Sequence, residues 1–545
     1  MYLINQHTKK IMEECKIRAR VAGLSFDDET LEYIVTNRDM IELSPKVMIP
    51  TLYDYWVNDV EILKGKGQYK LYPSNPYETV INSRPAISFY NDNNPDWLNV
   101  MIFYHVLGHI DFFQNNILFK NTWNDDFVGS SLADKRMIES LRSEQGRWVD
   151  YVIEFCRSID NLAGFFENLS LSDKNAKRAP SKKIEFYFDI FLQEIEDVAE
   201  HNIFKEIARY NKLIEDNKKI GESLFFAEIK TKYPEFNSKF NKYSKKINKI
   251  SNKNSTYSNE KVDVLEFIRD NSPFLNKEKN TWMKTVMNII RNTSLYFNPQ
   301  IRSKIINEGW ASYWHDTLFG LDERIAGHEI GYAKINAGVT SISRVGLNPY
   351  AIGLRLVQYV EELANKGKLN FYFQKNKNLI FRKEYNKDLN KGKEAIFNLR
   401  ENFNDFTLIN TFVDQDFIDK HGLFVVGKRL NIQRQTYEYY VKSRKAKDYK
   451  KMLINSLYHP PSISVEVDKT NDKLLYLKHK FEDKQLYKDY IQDTMIGIEF
   501  LWGASVSLET VEIINKRDNN TGKLSYENRK VLYTISDKKL TKKNL

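Results

Sequence analysis

Cysteine is nearly absent from this chain: among 545 residues there are two, Cys15 and Cys156, far apart in sequence. So few thiols exclude a disulfide framework and a cysteine-built zinc finger, and they suit a reducing compartment. No uninterrupted apolar run reaches about 18 residues, so no membrane-spanning helix is expected. The opening residues, MYLINQHTKKIMEECKIRARVAG, hold no apolar stretch followed by a small-residue cleavage site. A cytoplasmic location without an export signal is therefore expected. Also missing are a phosphate-cradling glycine loop and a Gly-x-Ser-x-Gly elbow, which argues against nucleotide hydrolysis and against a serine nucleophile. Neither cysteine sits in a recognisable reactive context.

Charge of one sign is not in large excess either. The 82 basic and 72 acidic residues give a net charge of +10 spread over a mixed surface. With no paired-cysteine finger and no RNP-like aromatic strand, a nucleic-acid partner is not expected. What the chain does have is apolar material. At 42% hydrophobic and 13% aromatic residues it can bury more than one core, and its length implies two or three domains.

The first 30 residues read as an amphipathic helix. Between Tyr72 and Pro95, four prolines (Pro73, Pro76, Pro85 and Pro95) make the chain irregular or extended. Asp96 is placed as the N-cap of a helix through WLNVMIFYHVLGHIDFFQNN, which is apolar on every side and therefore buried. A second helical stretch runs from about Asp134 to Leu162. From 169 to 261 the composition turns to Lys, Asn, Ser and Glu, most strongly in KFNKYSKKINKISNKNSTYSNEK. This region reads as a solvated insertion or linker, with a basic tether for an anionic partner as the other reading.

Helices resume at Val262, break at Ser272-Pro273, and lead through Asn298-Pro299 to NEGWASYWH, residues 307–315; another starts at Pro349 and stops near Gly367. Beyond Phe403 the short runs FTLIN, LFVVG, SISVEV, LLYLKHKF and SVSLET are β-rich. The expected fold is mainly α in an N-terminal region (1–168) and a central region (262–402), with buried helices and the insertion (169–261) between them. A smaller α+β domain (403–545) follows.

Two short segments concentrate the candidate chemistry. In HVLGH, His105 and His109 stand four positions apart, so two imidazoles on one helical face can share an ion. In NEGWASYWH, Glu308 and His315 stand seven apart, almost two helical turns, and again face one way. Burying an unpaired carboxylate or imidazolium among aromatic residues costs several kcal/mol. A shared metal would satisfy all four groups, and so would a proton-sharing network.

The metal reading takes His105, His109, Glu308 and His315 as ligands of Zn2+, with Fe or Mn also suited to histidine and carboxylate donors. HVLGH resembles half of a zinc-protease helix, but Val106 stands where the water-activating glutamate belongs. A base must come from elsewhere: Glu78, Asp111 and Glu329 are candidates, as is Glu308 itself if the histidines alone hold the ion. Trp310, Tyr313 and Trp314 read as packing rather than as a substrate platform, and Gly108 and Gly309 as places where another backbone comes close. His328 and His459 read as cap or turn residues.

At these same residues the chain resembles the stage V sporulation protein R (SpoVR) family. The resemblance rests on NPYETVINSRPAISF (75–89), HVLGHIDFFQNN (105–116), FIRDNSPFL (267–275), LYFNPQIRSKIINEGWASYWH (295–315) and GLNPYAIGLRL (346–356). In the tail it extends to LYLKHKF (475–481) and LWGASVSLET (501–510). It implies a bacterial protein with a role in late sporulation and in assembly of the spore cortex, a modified peptidoglycan. Relatives of that family often carry a histidine in the run that reads KINAGV here, where this chain has Asn336.

Two function classes follow. One is a metal-dependent, amidase-like hydrolase acting on a cell-wall precursor. The other is a non-catalytic assembly or regulatory factor with a structural His/Glu core and a protein partner on the C-terminal domain.

Overall fold

The run DWLNVMIFYHVLGHIDFFQN offers no polar face to water, and a helix of that kind has to be enclosed. It forms an α-helix, Asp96–Asn115, in which every residue from Leu98 to Phe113 is buried. Pro95 holds the N-cap position in place of the expected Asp96. Asp96 is the first helical residue, where its carboxylate complements the positive end of the helix.

The computed structural model describes residues 2–36, 39, 78–122, 127–164, 182–196, 206, 209–210, 213, 221–243, 262–343, 346–370, 373, 376, 378–431, 434–482, 484–517 and 524–545. A small sheet precedes the buried helix. Its strands are β1 (Tyr2–Leu3), β2 (Thr30–Val35), β3 (Glu78–Ile81) and β4 (Ala86–Asn91), in the order β1-β2-β4-β3. β2 and β4 run parallel, and β3 returns antiparallel to β4, opening on Glu78 opposite Tyr90. The expected N-terminal helix is shorter than 30 residues, α1 (Gln6–Val21), because strands flank it on both sides. The buried helix is α2.

The expected stretch 134–162 is two helices, α3 (Phe127–Gln145) and α4 (Trp148–Arg157), parted at Gly146, whose φ of 61° is a conformation glycine adopts without strain. Within 169–261, most of the described residues are helical, among them α5 (Gly221–Lys232). They build an aromatic cluster of their own from Phe186, Tyr187, Phe191, Phe225 and Phe236. Residues 244–261, most of the Lys/Asn-rich run, lie outside the described residues.

The central region supplies α6 (Val264–Asn271), α7 (Thr281–Arg302), α8 (Lys304–Phe319), α9 (Glu329–Thr340), α10 (Pro349–Asn365) and α11 (Gly392–Asn402). Pro349 starts α10 as expected, with Asn348 accepting from the Tyr350 and Ala351 amides. The segment around FTLIN, expected to be β-rich, is instead helical, α12 (Asp405–Phe412). A capping box wins over β propensity there: Asn404 Oδ1 accepts from Thr407 N at 2.9 Å, and Thr407 Oγ1 accepts from Asn404 N at 3.0 Å. Asp405 in turn caps α8 from a distance, its two oxygens accepting from Ile305 N and Ile306 N, each at 2.9 Å.

Glycines set how closely the central helices approach. A Cβ on Gly309 of α8 would lie 2.2 Å from the backbone of Gly353 in α10, and one on Gly353 would lie 2.1 Å from the Ile305 carbonyl oxygen. On the other side of α8, a Cβ on Gly108 of α2 would meet the Ala311 Cα at 2.8 Å. Both glycines singled out by their positions in the motifs therefore sit at backbone-to-backbone contacts. The indoles of Trp310 and Trp314 are fully enclosed, as packing residues should be.

The C-terminal region is α+β: a hairpin of β5 (Val425–Asn431) and β6 (Thr436–Ser443), then α13 (Ala446–Ser456), β7 (Ser462–Val465), β8 (Leu474–Lys480), α14 (Lys488–Trp502), β9 (Ser505–Arg517), β10 (Leu524–Ser536) and β11 (Lys539–Asn544). The last five strands form one sheet, ordered β11-β10-β9-β8-β7, with α14 as the crossover that the parallel pair β8–β9 requires.

Position 403 marks a change of texture rather than a boundary between cores. Leu408, Ile409, Phe417 and Leu453 join the core of α2, α8 and α10. Leu475, Ile498, Val506 and Val531 share a second core with α4, α6 and α7. No helix among the described residues is long and apolar enough to cross a membrane.

Gly309→Ala and Gly353→Ala are each expected to destabilise the chain by about 3 kcal/mol, since neither backbone can yield to the added methyl. Gly338→Ala is the control: nothing lies within 4 Å of its Cβ, and it should gain up to about 1 kcal/mol of helix propensity. Thermal denaturation decides, and similar midpoints for all three variants would remove the glycine contacts as a constraint on the fold.

Candidate functional site

Because Gly108 brings α2, and Gly309 brings α10, into backbone contact with α8, the residues beside them meet in the interior. His105 and His109 project from one face of α2, one helical turn apart, and their Nε2 atoms stand 3.1 Å from each other. From α8, Glu308 Oε2 lies 3.5 Å from His109 Nε2 and 3.8 Å from His105 Nε2. That oxygen is buried and accepts no hydrogen bond, while Tyr350, next to the start of α10, hydrogen-bonds the same carboxyl group. Glu78, at the beginning of β3, offers a carboxylate oxygen that with the ligand nitrogens of His105 and His109 forms a group within 4.8 Å.

The hydrogen bonds behind the imidazoles decide where their protons are. Asn336 Nδ2 donates to Asp316 Oδ1 at 3.0 Å, and a carboxylate oxygen only accepts, so the amide oxygen of Asn336 faces His315 Nε2, also at 3.0 Å. His315 is neutral, its pKa pushed down mainly by burial, so with its proton on Nε2 its Nδ1 is an acceptor. His105 Nδ1, 3.0 Å away, must then be the donor, which leaves His105 Nε2 with a bare lone pair. By the same logic His109 Nδ1 donates to Asn307 Oδ1 at 2.9 Å, and its Nε2 is bare too.

Burial, with smaller contributions from the neighbouring His109 and His315 imidazoles, holds His105 well below the usual imidazole range. Burial also lowers His109, against the opposing pull of Glu78 and the Asn307 hydrogen bond. Two lone pairs therefore point at each other across 3.1 Å, with a bare carboxylate oxygen beside them.

Such an arrangement calls for an electrophile between the nitrogens, a proton or a cation. The donor set fits a transition ion. Two nitrogens each about 2.0–2.1 Å from a tetrahedral Zn2+ stand about 3.3 Å apart, and Nδ1–H donation to an amide or a second imidazole is how such ligands are oriented. Glu78 and Glu308 are each pushed up to about 7, mainly by burial, so near neutrality the two carboxyls exchange protons readily.

Of the residues singled out from the sequence, His105, His109, Glu308 and Glu78 come together. His315 is adjacent, but both of its ring nitrogens are engaged, by His105 and by Asn336. It stands behind His105 rather than at the point where the other groups converge. Asp111 faces away from the imidazoles: it accepts from Trp310 Nε1 at 2.8 Å and Ser25 N at 2.7 Å, and lies 3.6 Å from Arg400. Glu329 is exposed in the first turn of α9, accepting from Gly327 N.

Asn307 and Tyr350 were not singled out, although Asn307 stands beside Glu308 in its motif and Tyr350 within GLNPYAIGLRL. Asn336, marked only as a departure from relatives, proves to orient His315. Selective 15N labelling of the histidines tests this proton placement. His105 and His109 are expected as Nδ1–H tautomers and His315 as Nε2–H at neutral pH, and a protonated Nε2 on His109 would contradict it.

A family model described as "SpoVR like protein" matches residues 4–459. The chain is 22% identical over 352 residues to the uncharacterized protein YcgB of Escherichia coli (strain K12), a match covering 61% of this chain. The aligned part spans 59% of the length of that curated relative. No solved structure matches the chain.

Proposed function

The chain belongs to the SpoVR family, and from that premise we propose that its buried histidine cluster is a divalent-metal centre serving hydrolysis of an amide in a cell-wall precursor, as part of spore-cortex assembly. One observation carries the reading: two imidazole lone pairs face each other at 3.1 Å beside the unpartnered oxygen of Glu308. In this reading His105 Nε2, His109 Nε2 and Glu308 hold the ion, Zn2+ foremost, with Fe or Mn also suited to the donors. When bound, the ion supplies Lewis-acid polarisation and an acidified water.

The protein groups do the rest. Asn307 and the His315–Asn336 pair keep both ligand lone pairs aimed inward. Glu78 enters from a different element, β3, and sets a carboxyl oxygen beside both imidazoles, so it suits the role of base that Val106 leaves vacant in HVLGH. Its elevated pKa suits it to take a proton near neutrality and return it to a leaving amine.

Protein purified without chelator should contain close to one equivalent of ion, and the double variant His105→Ala, His109→Ala should lose it. A metal-free protein whose stability is unchanged in that variant would sink the proposal.

Loading is also expected to depend on pH with a fixed sign. The histidines are already neutral, so the protons displaced come from the carboxyls titrating near 7. Affinity should fall as pH drops from about 8 to about 6, by up to about tenfold per pH unit for each carboxyl that ligates, and flatten above about 8. Calorimetry in buffers of different ionisation enthalpy counts those protons; pH-independent binding would exclude both glutamates.

The second reading is a non-catalytic assembly factor whose cluster is a structural network, with a protein partner on the C-terminal region. It is favoured by the same 3.1 Å separation, which also accommodates an N–H···N hydrogen bond once one imidazole is protonated. Glu308→Gln separates the two. A metal hydrolase should lose complementation of a sporulation-defective host while still folding cooperatively, and a scaffold should complement in full.

A further inference from the structure

Away from the histidine cluster, a cavity of about 840 Å3 opens where the end of α7, the start of α12, the segment after α13 and the end of β8 converge. That volume matches pockets that enclose nucleotide-sized molecules. Leu118, Ile301, Phe406 and Leu457 form an apolar wall, and Arg302, Lys451, Lys480 and Lys484 bring four cationic side chains to the lining.

Both carboxylates described in the lining are already engaged. Asp405 accepts from the Ile305 and Ile306 amides, and Glu482 pairs within the cavity with His459 at 2.8 Å and with Lys480 at 3.8 Å, which leaves Arg302, Lys451 and Lys484 for an incoming anion. Arg302 has no carboxylate partner among the described residues. Its Nε reaches Asn298 Oδ1 at 3.4 Å, and burial pulls its pKa down, the sign of a charge held at a cost. The Tyr458 side chain, close enough for its phenol to feel the Arg302 charge, adds a hydroxyl to the same cavity.

A partly desolvated guanidinium without a counter-ion is unfavourable until an anion meets it, and its planar fork of donors fits phosphate or carboxylate oxygens. We propose that this cavity binds a small-molecule anion of nucleotide size, its phosphate or carboxylate against Arg302 and its apolar body against the Phe406 and Leu457 wall. The exposed Lys451 and Lys484 stand at the rim, where they steer and screen the ligand charge.

Calorimetry on the full chain, without added divalent metal, tests the proposal with inorganic pyrophosphate, ADP and citrate as probes. At least one should bind saturably. Arg302→Met should weaken that binding about tenfold or more, the loss expected for a charge-assisted pair. Preference for pyrophosphate or ADP identifies a phosphate ligand, preference for citrate a carboxylate, and tighter binding of ADP than of pyrophosphate assigns the apolar wall a role.

His105→Ala, His109→Ala should bind the probe unchanged, which separates this cavity from chelation at the candidate metal centre. No saturable binding of any probe at millimolar concentration, equal affinity in Arg302→Met, or loss confined to the histidine variant would each overturn the proposal. Should Arg302→Met fail to fold, Lys451→Ala, Lys484→Ala at the exposed rim replaces it, and undiminished affinity at low salt in that variant would overturn the proposal in the same way.

Discussion

The structure depends on three helices touching backbone to backbone. Packed helices ordinarily keep their axes about 8–10 Å apart because side chains fill the space between them. At Gly309 against Gly353, and at Gly108 against Ala311, there is no room for a further Cβ. The neighbours of these glycines are the polar residues of the cluster: His109 follows Gly108, and Glu308 precedes Gly309. Closing the helices to this distance forces an imidazole and a carboxylate from different elements into one dry volume.

Groups so enclosed must find partners, since a buried polar atom left alone costs on the order of 1–3 kcal/mol. On one face of α2 the partners run outward in a line, His105 to His315 to Asn336 to Asp316, with Tyr332 also donating to Asp316. On the other face Asp111 collects the Trp310 indole, the Ser25 amide and the nearby Arg400 charge. Asp111 therefore pins α8 and the N-terminal segment to α2 without taking part in the cluster. The same economy appears at Asp405, which satisfies the first amides of α8 from a helix a hundred residues later. Polar contacts of this kind hold α8 in one rotation and register, and with it the direction in which Glu308 points.

The two large cores do not follow the order of the chain. The C-terminal sheet is completed by helices from the N-terminal and central regions, and the first part of the C-terminal region packs under the cluster. The anion-binding cavity lies on that seam. Asp405 belongs both to its lining and to the cap of the helix that carries Glu308, so the two sites share one structural element.

Local pattern by itself determined the buried helix, because a run with no polar face has one stable fate, and it determined the bounds of α10, because Asn-Pro and a late glycine are strong helix punctuation. It also determined that His105 and His109 share a face and that Glu308 is exceptional in its surroundings, since helical spacing and the cost of burying charge are local facts.

Only the tertiary structure decided that FTLIN is helical, that His315 stands behind His105, that Asp111 faces away, and that Glu78, from a strand separated in sequence from both motifs, joins the cluster. Each of these turns on a partner distant in sequence, or on the choice between two local preferences of similar strength. A spacing rule says which side chains leave a helix on one side; it cannot say which nitrogen of an imidazole is already spoken for.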